Sequence, residues 1–154
     1  MTVAPAAEQD SLVAAEPDRY YSLVITGLVE GPAALVSGAG SGIGRATARL
    51  LATHGARVAI VDSNAPAAEQ TAEDVRQAGG QAIALPGDGS NDTHVHTIVA
   101  AAAEALGALD LLVNNAGIAG GARASAEELG LERWDEMLRV NFRGYLLMSR
   151  AALA

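Results

Sequence analysis

Residues 37–44, SGAGSGIG, place four glycines and two serines in eight positions. Glycines at this density let a ligand approach the main chain closely. A helix opening directly after them offers unpaired N–H groups to an anion such as a pyrophosphate. The strict G-x-G-x-x-G spacing is not met, because from Gly38 and Gly40 the sixth position is Ile43. The pattern is instead hydroxyl-Gly-x-x-x-Gly-x-Gly, made by Ser37, Gly38, Gly42 and Gly44, with Ser41 and Ile43 inside the same turn. A glycine-rich turn that binds nothing is the competing reading, and the surrounding elements decide between them.

Three further groups stand at places where chemistry is done. Asp62 lies 18 residues past Gly44 and ends an apolar run. A carboxylate there accepts hydrogen bonds from ribose hydroxyls and repels a 2′-phosphate, which favours NAD over NADP. Arg45 follows Gly44 and offers a cation to a phosphate, which leaves that preference open. Asp88, in GDGSND (87–92), and Asn115, Ala116 and Gly117, in NNAG (114–117), each follow an apolar run. Asn141 sits among Trp134, Leu138, Phe142 and Tyr145, where a buried amide needs partners.

The intervening pattern supplies elements to position these groups. Short apolar runs at 33–37, 57–62, 81–86 and 109–114 read as buried strands. Between them lie helical stretches. In 42–54 the apolar residues Ile43, Ala46, Leu50 and Leu51 are expected to share the buried face. Residues 65–78 open with Pro66 in the first turn and end at Gly79-Gly80. Residues 92–106 have Asp92 as a plausible cap and Val95, Ile98, Val99, Ala102 and Leu106 as their stripe. A turn of helix at 126–129 and a long helix from about Leu131 to the end complete the chain. Alternating strands and helices imply a parallel sheet covered on both faces. The expected fold is a doubly wound α/β sheet of Rossmann type with strand order 3-2-1-4, occupying residues 28–154 behind a leader at 1–27.

Taken together, the motifs resemble the short-chain dehydrogenase/reductase family of classical type. That family uses Thr-Gly-x-x-x-Gly-x-Gly, for which Ser37 keeps the hydroxyl. It also uses an Asp-x-Ser/Thr-Asp segment, an Asn-Asn-Ala-Gly motif and an Asn in the following helix. The resemblance spans about residues 28–154. It implies an NAD(P)-dependent oxidoreductase acting on an alcohol or ketone, with Asp88 at the adenine edge, Asn115 to Gly117 along the cofactor and Asn114 as scaffold. It gives Asn141 a catalytic part, holding a water in a proton relay. The residues alone leave Asp88 equally a turn-shaping group, and leave a core amide bonded to a carbonyl as the lesser alternative for Asn141.

The family's catalytic Ser and Tyr-x-x-x-Lys lie on later elements, and the sequence stops at Ala154. All ten basic residues are Arg, so no Lys is present. Tyr145 is followed at the fourth position by Ser149 and is expected in a helix core. The expectation is a partial domain, inactive alone. Its rivals are a non-catalytic dinucleotide-binding or self-associating module, and a sheet completed by a second chain.

Composition sets the remaining limits. Half the residues are hydrophobic and five are aromatic, which suits close helix–sheet packing. A net charge of −8 without clustered cations argues against nucleic acid and anionic membranes as partners. The first 19 residues carry four acids and only Arg19 as a cation, unlike a secretory signal. The absence of Cys excludes thiolate chemistry and fits a cytoplasmic location. His94 and His96 point to different helix faces, so no metal site is expected.

Overall fold

The computed structural model describes residues 31–107, 109–119 and 129–154. The leader and most of the stretch expected to form a helical turn at 126–129 lie outside these residues. Four strands, β1 (Ala33–Ser37), β2 (Arg57–Asp62), β3 (Gln81–Pro86) and β4 (Leu111–Val113), form one parallel sheet in the order β3-β2-β1-β4. Leu35 of β1 stands opposite Ala59 on one side and Leu112 on the other. Between β1 and β4 the strand order reverses, and the carboxyl ends of these two strands flank a crevice.

Helices α1 (Gly42–Thr53) and α2 (Ala65–Gln77) cover one face of the sheet. Helix α3 (Asp92–Leu106) and the C-terminal helix cover the other. β1 is fully buried because both its faces are covered: Val36 joins Val58, Ile60 and Val75 on one side, and Leu35 joins Val61, Val95 and Met148 on the other. An unbroken apolar strand is what a central parallel position demands. Burial at roughly 25 cal/mol per Å² of apolar surface makes these two layers the main source of stability.

The helices depart from their sequence reading in three ways. In α1 the buried residues are Gly44, Ala48 and Ala52, whereas Ile43 is 79% and Leu50 53% exposed, and Ala46 is also exposed. Small side chains let this helix lie close on the sheet, and of the four residues expected on the buried face only Leu51 packs against the core, half-buried. The cap of α3 is Asn91, whose side chain accepts from the His94 N–H at 3.2 Å; Asp92 is the first helical residue. The C-terminal helix is not uniform. It runs as α4 (Leu131–Leu138), a π-helical segment at Arg139–Arg143, and α5 (Gly144–Ala152). No helix among the described residues is long and apolar enough to cross a membrane.

Candidate functional site

The crevice at the strand ends is a cleft of about 700 Å³. Ser37, Gly38, Ser41, Gly42, Ile43, Asp62, Asp88, Asn115, Ala116 and Gly117 all line it. Of the residues singled out by sequence, Gly44, Arg45 and Asn141 do not. The turn from β1 into α1 forms one wall. Gly38 (φ +64°) and Gly42 (φ +52°) adopt left-handed backbone, which a side chain disfavours. A methyl group on Gly42 would meet nothing within 4 Å, so that residue leaves the cleft side open. Ser41 stands at the helix N-cap, exposed, with its hydroxyl making no capping bond. The first-turn amides of α1 therefore keep capacity for an anion.

Gly44 works differently. A methyl group there would lie 2.2 Å from the Gly38 carbonyl oxygen and 2.5 Å from Asn115 Nδ2. This glycine lets the helix pack against its own entering turn and does not face the cleft. Ser37 is likewise buried. Its hydroxyl accepts from the N–H groups of Asn115 (3.0 Å) and Ala116 (3.1 Å) and donates to the Val113 carbonyl at 3.3 Å. The Asn115 amide returns the tie, donating to the carbonyls of Ser37 and Gly38 at 3.0 and 3.1 Å. The glycine turn and the NNAG segment thus form one hydrogen-bonded unit joining the ends of β1 and β4. Asn114 donates to the Ser149 hydroxyl at 3.0 Å, while its buried Oδ1 has no partner among the described residues.

Asp62 reaches back to this turn. Its Oδ2 accepts from the Gly40 N–H at 2.8 Å and its Oδ1 from the Asn64 N–H at 2.9 Å. Two backbone donors fix the carboxylate at the cleft edge and leave it further acceptor capacity. Gly40, given no role by the sequence pattern, is required here: a methyl group would come within 2.7 Å of that carboxylate. Arg45 turns inward, bonding the Gly40 carbonyl and, at 3.2 Å, the Thr71 hydroxyl.

The opposite wall is the turn at Gly87–Ser90. Asp88 Oδ1 accepts from the Ser90 N–H (2.9 Å) and hydroxyl (2.6 Å), and its Oδ2 lies 3.4 Å from Arg139 Nη1. Burial pushes the Asp88 carboxyl upward. The Ser90 bonds and Arg139 outweigh it and hold the carboxyl below the usual carboxylate range. Ser90 is 3% exposed, and Arg139 and Arg143 both bond to it.

Asn141 is exposed, against the expectation of a buried amide, because it stands on the π segment facing a loop and not the sheet. Its Oδ1 accepts from the Ile118 N–H at 2.8 Å and its Nδ2 donates to the Ile118 carbonyl at 2.9 Å. This two-point pairing pins the chain just after NNAG. Tyr145, expected in the core, is half-buried and lines the cleft. Ser90, Arg139 and Arg143 were missed by sequence; the only signal was two arginines four apart around Asn141.

A parallel sheet reversing at β1/β4, with a glycine turn, a strand-end aspartate and an Asn-Asn-Ala-Gly segment around one cleft, defines a class. Residues 32–154 match the short chain dehydrogenase family, and the chain belongs to it. It is 44% identical over 126 residues to D-threitol dehydrogenase of Mycolicibacterium smegmatis, covering 80% of this chain and 46% of that protein. It is 41% identical over 108 residues to cyclohexanol dehydrogenase of an Acinetobacter species, covering 70% and 43%. Among solved structures it is similar to a 3-ketoacyl-(acyl-carrier-protein) reductase of Brucella melitensis complexed with NADH. There the TM-score is 0.73 and the identity 41%, over 79% of this chain and 48% of that one. The chain spans about half the length of the relatives it matches.

Proposed function

We propose that this chain is the dinucleotide-binding part of an oxidoreductase that interconverts an alcohol and a carbonyl compound. The observation that supports it best is the convergence of ten motif residues from four separate segments on one cleft at the strand reversal. The residues fit the ligand. Gly42 leaves an open cradle at the start of α1, and the Ser41 hydroxyl and first-turn amides suit a pyrophosphate. Asp62 takes the ribose hydroxyls and Asp88 the adenine edge, while Asn115, Ala116 and Gly117 flank the nicotinamide half. A bound nicotinamide would supply hydride exchange with the substrate carbon.

NAD is favoured over NADP. Asp62 presents negative charge where a 2′-phosphate would lie, and Arg45, the nearby cation, is occupied by the Gly40 carbonyl and Thr71. Calorimetric titration with NADH and NADPH tests both points. NADH binding at least about tenfold tighter is expected, the worth of one charge-assisted contact; equal affinities would remove the assigned role of Asp62.

The 154 residues contain no Lys, so none of them can form the family's Tyr-x-x-x-Lys pair, and Tyr145 has no such partner. Binding without turnover is expected of this chain alone. NAD-dependent alcohol oxidation by the purified 154-residue chain would sink that expectation. In the same reading Asn141 holds the Ile118 loop in place beside the reacting end.

A self-associating module is the second reading. Leu131, Trp134, Leu138, Phe142 and Leu146 recur every three or four residues along the C-terminal helix and are 46–79% exposed. An apolar stripe of this length favours association. Sedimentation velocity across a concentration series tests it, and a monomer at every concentration would exclude it.

A further inference from the structure

The two halves of the cleft are both tied to the π segment. On one side of it Asn141 grips the main chain of Ile118. On the other, Arg139 and Arg143 converge on the four-residue turn that carries Asp88. Arg139 Nη1 bonds the Ser90 hydroxyl and lies 3.4 Å from Asp88 Oδ2, and Arg143 Nη1 donates to the Ser90 carbonyl at 3.1 Å. Arginines four apart share a helical face, and the residue midway between them lies on the other. The docking is close as well as polar. A methyl group on Gly144 would lie 3.2 Å from the Gly89 carbonyl oxygen, and Met148 packs under Gly89. Ser90 is almost wholly buried by these contacts.

We infer that Arg139 and Arg143 are positioning residues for the adenosine half of the dinucleotide, acting through Ser90 and Asp88. The inference rests on the dinucleotide reading above. Ser90 spends its N–H and hydroxyl on Asp88 Oδ1, which leaves Asp88 Oδ2 beside Arg139, and the residue as a whole lines the cleft. Without the guanidinium of Arg139, the Ser90 hydroxyl loses one partner and the Asp88 carboxylate loses its only cation among the described residues. The turn then keeps Arg143 as its one hydrogen bond from the π segment among the described residues, beside the packing of Met148. The nicotinamide-side loop keeps Asn141 and the Ser37–Asn115 bonds, and is unaffected.

The test is a titration of the full 154-residue chain with NADH, with ADP-ribose and with reduced nicotinamide mononucleotide, in the unmodified protein and in Arg139→Gln. The variant is expected to lose about tenfold in affinity for NADH and ADP-ribose, the scale of one hydrogen bond to a charged group. Its affinity for the mononucleotide stays within about twofold, since a change that size is under half a bond's worth. Arg143→Gln shifts the same ratio by less, having one bond to the turn. Arg139→Lys keeps the charge but cannot span Asp88 and Ser90 together, and falls between the two; it provides the same comparison where Arg139→Gln folds poorly. Equal losses for ADP-ribose and the mononucleotide would overturn the inference, because general destabilisation or a direct grip on phosphate predicts that pattern. Unchanged ADP-ribose affinity would overturn it too. Failure of the unmodified chain to bind any of the three would overturn the dinucleotide reading itself, and the inference with it.

Discussion

The Ser37–Gly44 wall of the cleft is held by main chain and small side chains, whereas the Gly87–Ser90 wall is held by arginines 49 to 53 residues further along the chain. Both are cleft-lining turns after parallel strands. The first was legible because its close packing requires a backbone shape, and only glycines and a short hydroxyl supply that shape. The second was half legible. Asp88 could be placed on it, but the groups that orient Asp88 come from a helix whose sequence carries no mark of the turn it touches.

This contrast can be broken by substitution, and the largest effect belongs to the first wall. Gly44→Ala forces a methyl group against a main-chain carbonyl that cannot swing away. A loss of about 3 kcal/mol in stability is expected, together with loss of NADH binding, measured by urea denaturation and by titration. Near-normal stability would show that the turn is not rigid and would erase the difference between the walls. Ser37→Ala comes next. It strands the N–H groups of Asn115 and Ala116 where water reaches poorly, at a cost of about 2 kcal/mol. Ser37→Thr, restoring the hydroxyl, should recover most of it in the same denaturation experiment.

Gly42→Ala sharpens the comparison within one turn. Its methyl group meets nothing, so the cost is only the left-handed backbone, about 1 kcal/mol. NADH affinity should fall by more than that stability loss accounts for, since the methyl enters the cradle. A variant that binds as well as the unmodified chain would place the ligand elsewhere.

The smallest effect concerns the second wall and pH. The Asp88 carboxyl is held below its ordinary range in the folded chain. A group lowered on folding contributes stability that is present above its unfolded pKa and is lost as pH falls through the folded one. Asp88→Asn should therefore flatten the acid side of the stability profile, in the window at and below the ordinary aspartate range. At neutral pH it should cost about 0.5 kcal/mol, because the pair with Arg139 is partly exposed. Thermal unfolding from neutral to acid pH would measure this, and parallel profiles for the two proteins would count against the bonds described.

The strand order and most element positions could be read from the chain because β1 and β2 are continuous apolar runs with turn residues at both ends. The inner face of α1 could not. Its buried residues are Gly44, Ala48 and Ala52, so of the larger apolar residues the pattern selected only Leu51 packs on the core, while Ile43 and Leu50 are exposed. Asn91 and Asp92 are adjacent capping types, and only geometry separates them. Asp62 was visible as a strand-end carboxylate, but its grip on Gly40 was not, since that contact exists only once the turn is folded. The π segment left no sequence signal either. An extra residue in one turn does not alter composition, and the apolar stripe of the helix continues through it.

That extra residue also sets a phase. Each residue added to a regular α-helix rotates the remainder of the helix by about 100°. Removing one residue such as Val140 would let α4 and α5 join as an ordinary helix, a local gain in regularity. The wider π turn absorbs that rotation, which is how Arg139 and Gly144 both address the Ser90 turn with an extra residue between them. The helix thus behaves as an indexed shaft with one wide tooth: a residue removed from that turn leaves α4 and α5 nearly in phase, whereas one removed from within either helix turns everything beyond it.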